Sequence, residues 1–191
     1  GATAIVAGAA AMRAGLQSLL RLPSNIGQTD QQRSLTTRSA IAPQKIIYGE
    51  TVCSGVISFV GTAGDQARDL YHVIALAGHE VDSIKDIYLD NTKILNADIN
   101  SGNAAGGDVG GTGIFKVVDS TTVVRVMKHL GDQTLVDDMV STAFGSDYDG
   151  THKGLGIAYI ATRFTLFDGS QKTWDKHTPN NIKAQVRGKA V

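Results

Sequence analysis

The chain has 191 residues, of which 18 are basic and 18 are acidic, so its formal net charge is zero. This length suffices for one domain whose core buries about 70% of the surface that the unfolded chain exposes, without help from metals or disulfides. The charge balance lacks the excess of Lys and Arg that marks a dedicated nucleic-acid-binding protein. A single cysteine, Cys53, excludes an intrachain disulfide.

Residues 1–22 have the spacing of an amphipathic helix. An apolar stripe recurs every third or fourth position, and it consists of Ile5, Ala9, Met12, Leu16 and Leu20. Arg13 interrupts the apolar stretch well short of the roughly 20 residues that a bilayer requires, so neither a signal peptide nor stable membrane insertion is predicted. The stripe could pack on its own domain or on another subunit, and the sequence leaves both open.

Residues 23–44 are polar and lack a hydrophobic period, which is typical of a linker or an extended arm. From Lys45 onward, short runs rich in β-branched and aromatic residues alternate with Gly or Asp, which predicts strands. These runs are KIIYGE, VCSGVISFV, LYHVIALA, IKDIYL, IFKVV, TTVVRVMK, LGIAYIATRFTLF and NIKAQVRGKAV. Asp90-Asn91 and Asp119-Ser120 predict hairpin turns between successive runs. The sequence therefore predicts a mainly β (α+β) fold, with an antiparallel β domain over 45–191 that continues beyond the last residue.

Two segments of this domain depart from the strand pattern. The run TLVDDMVSTAFG, residues 134–145, changes to helical spacing, with Thr134 and Asp137 spaced as a capping box and Gly145 placed as a stop. A short helix over 135–144 is predicted. The run NSGNAAGGDVGGTG, residues 100–113, has too many glycines for a packed element and is predicted to be a mobile loop.

The segment GHEVD, residues 78–82, gathers His79, Glu80 and Asp82 within four positions. A zinc-binding helix of the H-E-x-x-H type needs a second His one turn later, and that His is missing here. The cluster follows one strand pattern and precedes another. It is predicted to be a solvated turn rather than a metal site.

Other motifs for chemistry are incomplete. Asp147 and Asp149 are spaced as in a calcium loop, but the bidentate Glu expected further on is absent, which favours a solvated turn. The glycine-rich segment contains no G-K-[ST], so it is not a phosphate-binding loop, and no G-x-S-x-G nucleophile motif occurs. Cys53 lies in a strand pattern and is predicted to be a buried small hydrophobe. No catalytic residue, metal ligand or cofactor is predicted.

One cationic row remains as a candidate contact site. Lys183, Arg187 and Lys189 alternate along the last strand pattern and are therefore predicted to share one face. Such a face could meet phosphates or line a channel. A solvated outer strand face is the more frequent explanation of the pattern.

Five blocks of the sequence, taken in order, resemble the N-terminal part of the host-specificity protein J family, the tail-tip hub proteins of long, non-contractile-tailed bacteriophages. The blocks are KIIYGETVCSGVISFV, LYHVIALAGHEVDSIKDIYLDN, VRVMKHLGDQT, HKGLGIAYIATRF and TPNNIKAQVRGKAV. They extend over residues 45–191, whereas the first 40 residues carry little of the resemblance.

The resemblance implies a structural protein of the virion rather than an enzyme. It implies the tube-proximal part of the central hub, which closes the tail at its tip and links it to the host-recognition region. The implied partners are two further copies in a homotrimer, the distal tail protein and other tail-tip proteins, the tape-measure protein in the channel and, transiently, phage DNA. The implied location is the tail tip of the virion, assembled in the cytoplasm of the host bacterium.

Two alternatives from other classes stay open. A cell-wall hydrolase of the tail tip would need two carboxylates about 5–10 Å apart in a cleft. Its candidate sources are Glu80, Asp82, Asp86, Asp137 and Asp138. A carbohydrate-binding module would need an exposed aromatic platform, for which the single tryptophan, Trp174, is the candidate.

Overall fold

A computed structural model describes residues 43–90, 92–95, 99–100, 106–109, 123–165, 179 and 181–189. The predicted N-terminal helix with its apolar stripe lies outside the described residues, as do the predicted hairpin at Asp119-Ser120 and residues 23–42 of the predicted linker.

The described residues form two antiparallel β-sheets, which confirms the prediction of a mainly β fold. The strands are β1 (Glu50–Ser54), β2 (Val56–Ala63), β3 (Asp69–Ala77), β4 (Val81–Leu89), β5 (Thr92–Ile94), β6 (Ile99–Asn100), β7 (Gly106–Val109), β8 (Val124–His129), β9 (Ala158–Thr165) and β10 (Ile182–Gly188). One sheet has four strands in the order β1-β10-β4-β5, and the other has six in the order β2-β3-β9-β8-β7-β6.

The main hydrophobic core takes residues from both sheets. On β10, Ile182, Ala184 and Val186 are buried while the residues between them are more exposed, which is the two-residue period of a strand with one face on a core. The six-stranded sheet contributes buried residues from β3, β8 and β9 to the same core. The largest of these side chains is Phe164, which is fully buried.

Within the described residues, two short connections carry the chain from one sheet to the other. The predicted strand run VCSGVISFV is divided at Gly55 into β1, in the four-stranded sheet, and β2, in the six-stranded sheet. Residues 78–80 join β3 in the six-stranded sheet to β4 in the four-stranded sheet. The run KIIYGE forms no strand before Glu50, and Gly49 there has a φ of 71°, a left-handed conformation that interrupts an extended chain.

A second hydrophobic cluster lies where helix α1 (Asp138–Phe144) packs on the six-stranded sheet. The ring of Phe144 lies 4.9 Å from that of Phe59 and 5.2 Å from that of Tyr71, both edge to face. This face of the sheet is separate from the main core. Among the described residues, no helix is long and apolar enough to cross a membrane.

The predicted helix over 135–144 is present, but it begins later than predicted. Its N-cap is Asp137 rather than Thr134, because the Asp137 carboxylate accepts the backbone N–H of Val140 at 2.9 Å. The same carboxylate is held by a histidine on β8, which fixes the cap in place. The helix ends at Gly145, at a φ of 55°, as its sequence predicts.

The predicted hairpin turn at Asp90-Asn91 is confirmed by the pairing of β4 with β5. Leu89 is opposite Thr92, so two residues connect the strands. Asp90 has a φ of 53°, the left-handed conformation that such tight turns require. Its carboxylate also accepts the backbone N–H of Asn181 at 3.1 Å, which joins the turn to the start of β10.

The prediction of a mobile loop over 100–113 is wrong for residues 106–109. These residues form β7, which pairs with β6 and β8. Gly106 has a φ of 134°, and a Cβ there would lie 2.2 Å from the carbonyl oxygen of Val126 on β8. The glycine is needed here because the two backbones approach closely, which is another use of glycine besides flexibility.

Candidate functional site

The side chain of His79 binds the backbone through both ring nitrogens. Nε2 accepts the N–H of Ile47 at 2.8 Å, so the proton lies on Nδ1, which donates to the carbonyl oxygen of Glu80 at 2.7 Å. His79 therefore ties the segment before β1 to the connection between β3 and β4. The predicted turn is confirmed for residues 78–80, whereas Asp82 lies within β4.

We expect replacement of His79 by alanine to lower the free energy of unfolding by about 1–2 kcal/mol, because Ile47 is a buried residue whose backbone N–H loses its acceptor. Urea unfolding in the presence and absence of EDTA measures this. The loss should be the same with and without the chelator. Stoichiometric bound zinc or calcium that disappears in His79→Ala would contradict a purely structural role.

The three predicted cationic residues do not lie together, because Lys183 is at the start of β10 whereas Arg187 and Lys189 are at its other end. Lys183 and Arg187 lie on β10, but Lys189 follows the strand, after a register shift between Arg187 and Gly188. Two of them face carboxylates of the β3–β4 connection and β4. The Lys189 ammonium lies 2.9 Å from Glu80, and the Arg187 Nε lies 3.9 Å from Asp82. The hydrogen bond from Lys189 to Glu80 raises the pKa of the lysine.

These ion pairs use two of the candidate carboxylates of the hydrolase alternative. A third, Asp86, pairs with Lys93 at 2.9 Å. Asp138 lies in the first turn of α1 and is exposed. In the described part of the chain, no three His, Cys, Asp or Glu side chains gather where they could hold a metal ion.

The fifth carboxylate, Asp137, belongs to a buried pair that the sequence does not reveal. One of its oxygens lies 2.6 Å from Nε2 of His129, and the other caps α1. The His129 ring stacks on Tyr159 with 4.2 Å between centroids and 18° between planes. An Asp–His pair can orient a general base, but here one Asp137 oxygen caps α1 and the other holds the start of the helix to β8 through His129. The spacing of Asp137 from Val140 was the one available signal, and it predicts a cap rather than a pair.

Tyr159, the ring on which His129 stacks, also lines a groove of about 260 Å³. Its lining includes Ser58, Phe59, Tyr148, His152 and Tyr159. Tyr148 and Tyr159 are only 4% and 2% exposed, so their rings form a wall rather than a platform on which a sugar could stack. Burial raises the pKa of Tyr148 to about 12. Trp174, the candidate platform, lies outside the described residues.

The segment whose aspartates are spaced as in a calcium loop forms a local turn at the edge of this groove. The Asp149 carboxylate accepts the backbone N–H of Thr151 at 2.9 Å and its hydroxyl at 2.6 Å. These hydrogen bonds lower the pKa of Asp149. Asp147 lies in the short 3₁₀ helix Gly145–Tyr148 and is exposed. The prediction of a solvated turn is confirmed.

Cys53 on β1 is partly buried and packs against the main core. Burial raises the pKa of its thiol, so the neutral form prevails at pH 7. Its environment is that of a small hydrophobe, as predicted, although its burial is incomplete.

Exposed apolar side chains occur on β1, an edge strand of the four-stranded sheet, and on the segment that precedes it. Ile46, Tyr48 and Val52 are 65%, 72% and 47% exposed, and we call these three residues the edge surface. Among the described strands, none pairs with the outer side of β1 or with the outer side of β2 in the other sheet. Sheet edges with open backbone groups and exposed apolar side chains are suited to binding another chain. The sequence predicts a strand in the run KIIYGE, but it does not predict that this segment carries an exposed apolar surface.

No family model matches the sequence, and no curated protein matches it. Among solved structures, the chain is similar to one described as the virion of a native gene transfer agent particle, with a TM-score of 0.48 and 16% identity. The likeness covers 85% of this chain and 30% of that chain, so this chain spans less than a third of its length. At this TM-score, no conclusion about function follows from the likeness.

Proposed function

We propose that the chain is a structural component of a bacteriophage tail tip and forms the tube-proximal part of its central hub. The observation that carries this proposal is the series of five sequence blocks over residues 45–191 that resembles the host-specificity protein J family. In this role the chain acts through its surfaces, as a homotrimer in contact with the distal tail protein and with the tape-measure protein in the channel.

The positions of the five blocks in the fold support the resemblance. The first block covers β1 and the first part of β2, and the second covers nearly all of β3, the connection held by His79, and β4. The remaining blocks include β8, most of β9, and β10. These strands supply most of the main core. The blocks therefore describe the framework of a domain and not a single recurrent motif.

The use of the candidate catalytic side chains also supports a structural role. His79 has both ring nitrogens bound to the backbone, and Asp137 has both oxygens engaged by His129 and by α1. Glu80 and Asp82 face cations at the end of β10. A hydrolase remains the second candidate, and zymography on bacterial cell walls would detect it. Binding on a glycan array would detect a carbohydrate-binding module.

The edge surface is the part of the described domain best suited to assembly. We place it at a contact between subunits, because it combines exposed apolar side chains with a sheet edge that is open among the described strands. The predicted N-terminal stripe is proposed to add a second assembly contact. A reconstruction of the intact tail tip by cryo-electron microscopy would test the position in the hub directly.

We expect the double substitution Tyr48→Lys and Val52→Lys to leave the fold intact and to prevent trimer formation. Two lysines at an edge replace apolar area by charge and oppose pairing with another strand. Sedimentation velocity of the purified chain at several concentrations measures the assembly state, and circular dichroism reports the fold.

The matched control is Leu135→Lys with Leu155→Lys, two leucines that are 75% and 70% exposed and lie outside the edge surface. This control should sediment as the unchanged chain does. If all three proteins sediment identically, the edge surface is not part of the contact between subunits. The proposal of a hub would then depend on the reconstruction alone.

A further inference from the structure

A row of polar side chains crosses the six-stranded sheet beneath α1. In the register of the strands, Asp108 on β7 is opposite Arg125 on β8, Arg125 is opposite Arg163 on β9, and Arg163 is opposite Tyr71 on β3. Two guanidinium groups are therefore direct neighbours on adjacent strands. Like charges in this relation are destabilising unless an opposite charge lies between them.

The partners of the two arginines within the described residues are incomplete. Arg125 Nη1 lies 3.5 Å from Asp108, at the limit of a hydrogen bond. The guanidinium of Arg163 lies close to the phenol of Tyr71, its register partner on β3. The Nε atoms of both arginines are buried and have no hydrogen-bond partner among the described residues. Buried donors without acceptors are costly, and each of them calls for an explanation.

A surface cavity of about 270 Å³, open to solvent, joins these groups to the helix. The two arginines and Tyr71 line it from the sheet, and α1 lines it with Asp138, Met139, Thr142 and Ala143. Since one water occupies about 30 Å³ in the liquid, the space suffices for a small anion with its waters. The guanidinium forks, a phenol and a threonine hydroxyl thus border one cavity.

We propose that this cavity, which we call the arginine cavity, binds a phosphate group in its dianionic form. Arginine presents planar pairs of donors that match phosphate oxygens. A dianion attracts the two guanidinium groups more strongly than a carboxylate or a phosphodiester, which carries a single charge, and Asp108 and Asp138 offset only part of this attraction. Inorganic phosphate and a terminal phosphate ester share this chemistry. The proposal is independent of the role in a phage tail.

The test uses the full chain at pH 8, where inorganic phosphate, whose second pKa is about 7, and a phosphate monoester, whose second pKa is about 6, are both mainly dianions. Inorganic phosphate should raise the melting temperature by about 3 °C at ten times its dissociation constant, and sodium chloride at equal ionic strength should not. R163Q and R125Q should abolish the shift. R68Q should retain it, because Arg68 is an exposed arginine outside the arginine cavity.

Loss of binding in an arginine variant could also result from poor folding, so a second variant is chosen that is expected to bind phosphate more tightly. Asp138 lines the arginine cavity with a negative charge, so D138N should bind phosphate more tightly in isothermal titration calorimetry. Glycerol phosphate tests the ester source and should bind like inorganic phosphate. Equal shifts in the unchanged chain and in R163Q, an equal effect of chloride, or equal affinity for a dinucleotide phosphodiester would each overturn the proposal.

Discussion

Replacing Gly55 by alanine will lower the free energy of unfolding by about 3 kcal/mol, the upper part of the range for an overpacked buried site. Gly55 is buried between β1 and β2, where the chain passes from one sheet to the other. A Cβ there would lie 2.3 Å from Cγ2 of Ile74 and 2.4 Å from the carbonyl oxygen of Ala75. A backbone oxygen of a central strand cannot move aside cheaply. Urea unfolding followed by tryptophan fluorescence or circular dichroism gives the difference.

Gly150→Ala is the matched control. Gly150 is exposed, and a Cβ there would meet no atom within 4 Å. Its substitution should change the free energy of unfolding by less than about 0.5 kcal/mol. If the two variants unfold at the same urea concentration, then the close approach of the two sheets at Gly55 is not a feature of the protein.

The sequence predicts local structure well wherever one residue type has one physical use. The alternation on β10 and the Asp90-Asn91 turn follow directly from strand period and turn chemistry. The prediction of a mobile loop is wrong for residues 106–109 because glycine has two structural uses. It loosens a loop, but it also lets two backbones pack closely, and only the position of β8 decides between them.

The assignment of strands to sheets was beyond the reach of sequence patterns. The run VCSGVISFV looks continuous, yet Gly55 divides it between two sheets. The two-residue hydrophobic period predicts that a segment is a strand, but it does not predict which other strand that segment pairs with. For the same reason the pairing of Arg125 with Arg163, which are distant in sequence, was invisible until the register was known.

The sequence identifies which charged residues form the candidate site, but it does not predict which of them pair with each other. Glu80 and Asp82 were recognised as a polar cluster, and Lys189 and Arg187 as a cationic row, without a sign that the two sets meet. The cap function of Asp137 was within reach, since its spacing is local. Its bond to His129 depends on how α1 lies on the sheet, which is a tertiary property.

A buried lysine is expected to make the free energy of unfolding depend strongly on pH. Lys128 on β8 is 7% exposed, and its ammonium donates to the carbonyl oxygen of Lys85 on β4 at 2.6 Å, so it bridges the two sheets. Burial lowers its pKa from 10.5 to about 8, although the charge of Asp86 opposes this shift. The charged form is thus disfavoured in the folded protein. A lysine in this place costs stability at neutral pH.

The sign of the pH dependence follows from the two protonation states. Between pH 8 and 10.5 the unfolded chain binds a proton at Lys128 that the folded protein does not. The contribution of Lys128 to stability therefore rises with pH across this window, and its cost is fully present below pH 8. Since one pKa unit corresponds to about 1.4 kcal/mol, the full rise is up to about 3 kcal/mol. Burial raises the pKa of Cys53, which acts in the opposite direction at higher pH.

We therefore expect Lys128→Met to remove the rise in the free energy of unfolding between pH 7.5 and 9.5, while Lys153→Met leaves it unchanged. Methionine keeps the length of the side chain without its charge, and Lys153 is an exposed lysine in a loop. Urea unfolding at intervals of pH measures the slope, and the difference between variant and unchanged chain cancels the contribution of Cys53. At pH 7 the variant loses the donor to Lys85 but also loses the buried charge, so it should be no less stable than the unchanged chain. If Lys128→Met retains the slope, the ammonium of Lys128 is solvated in the folded protein, and the two sheets do not enclose it.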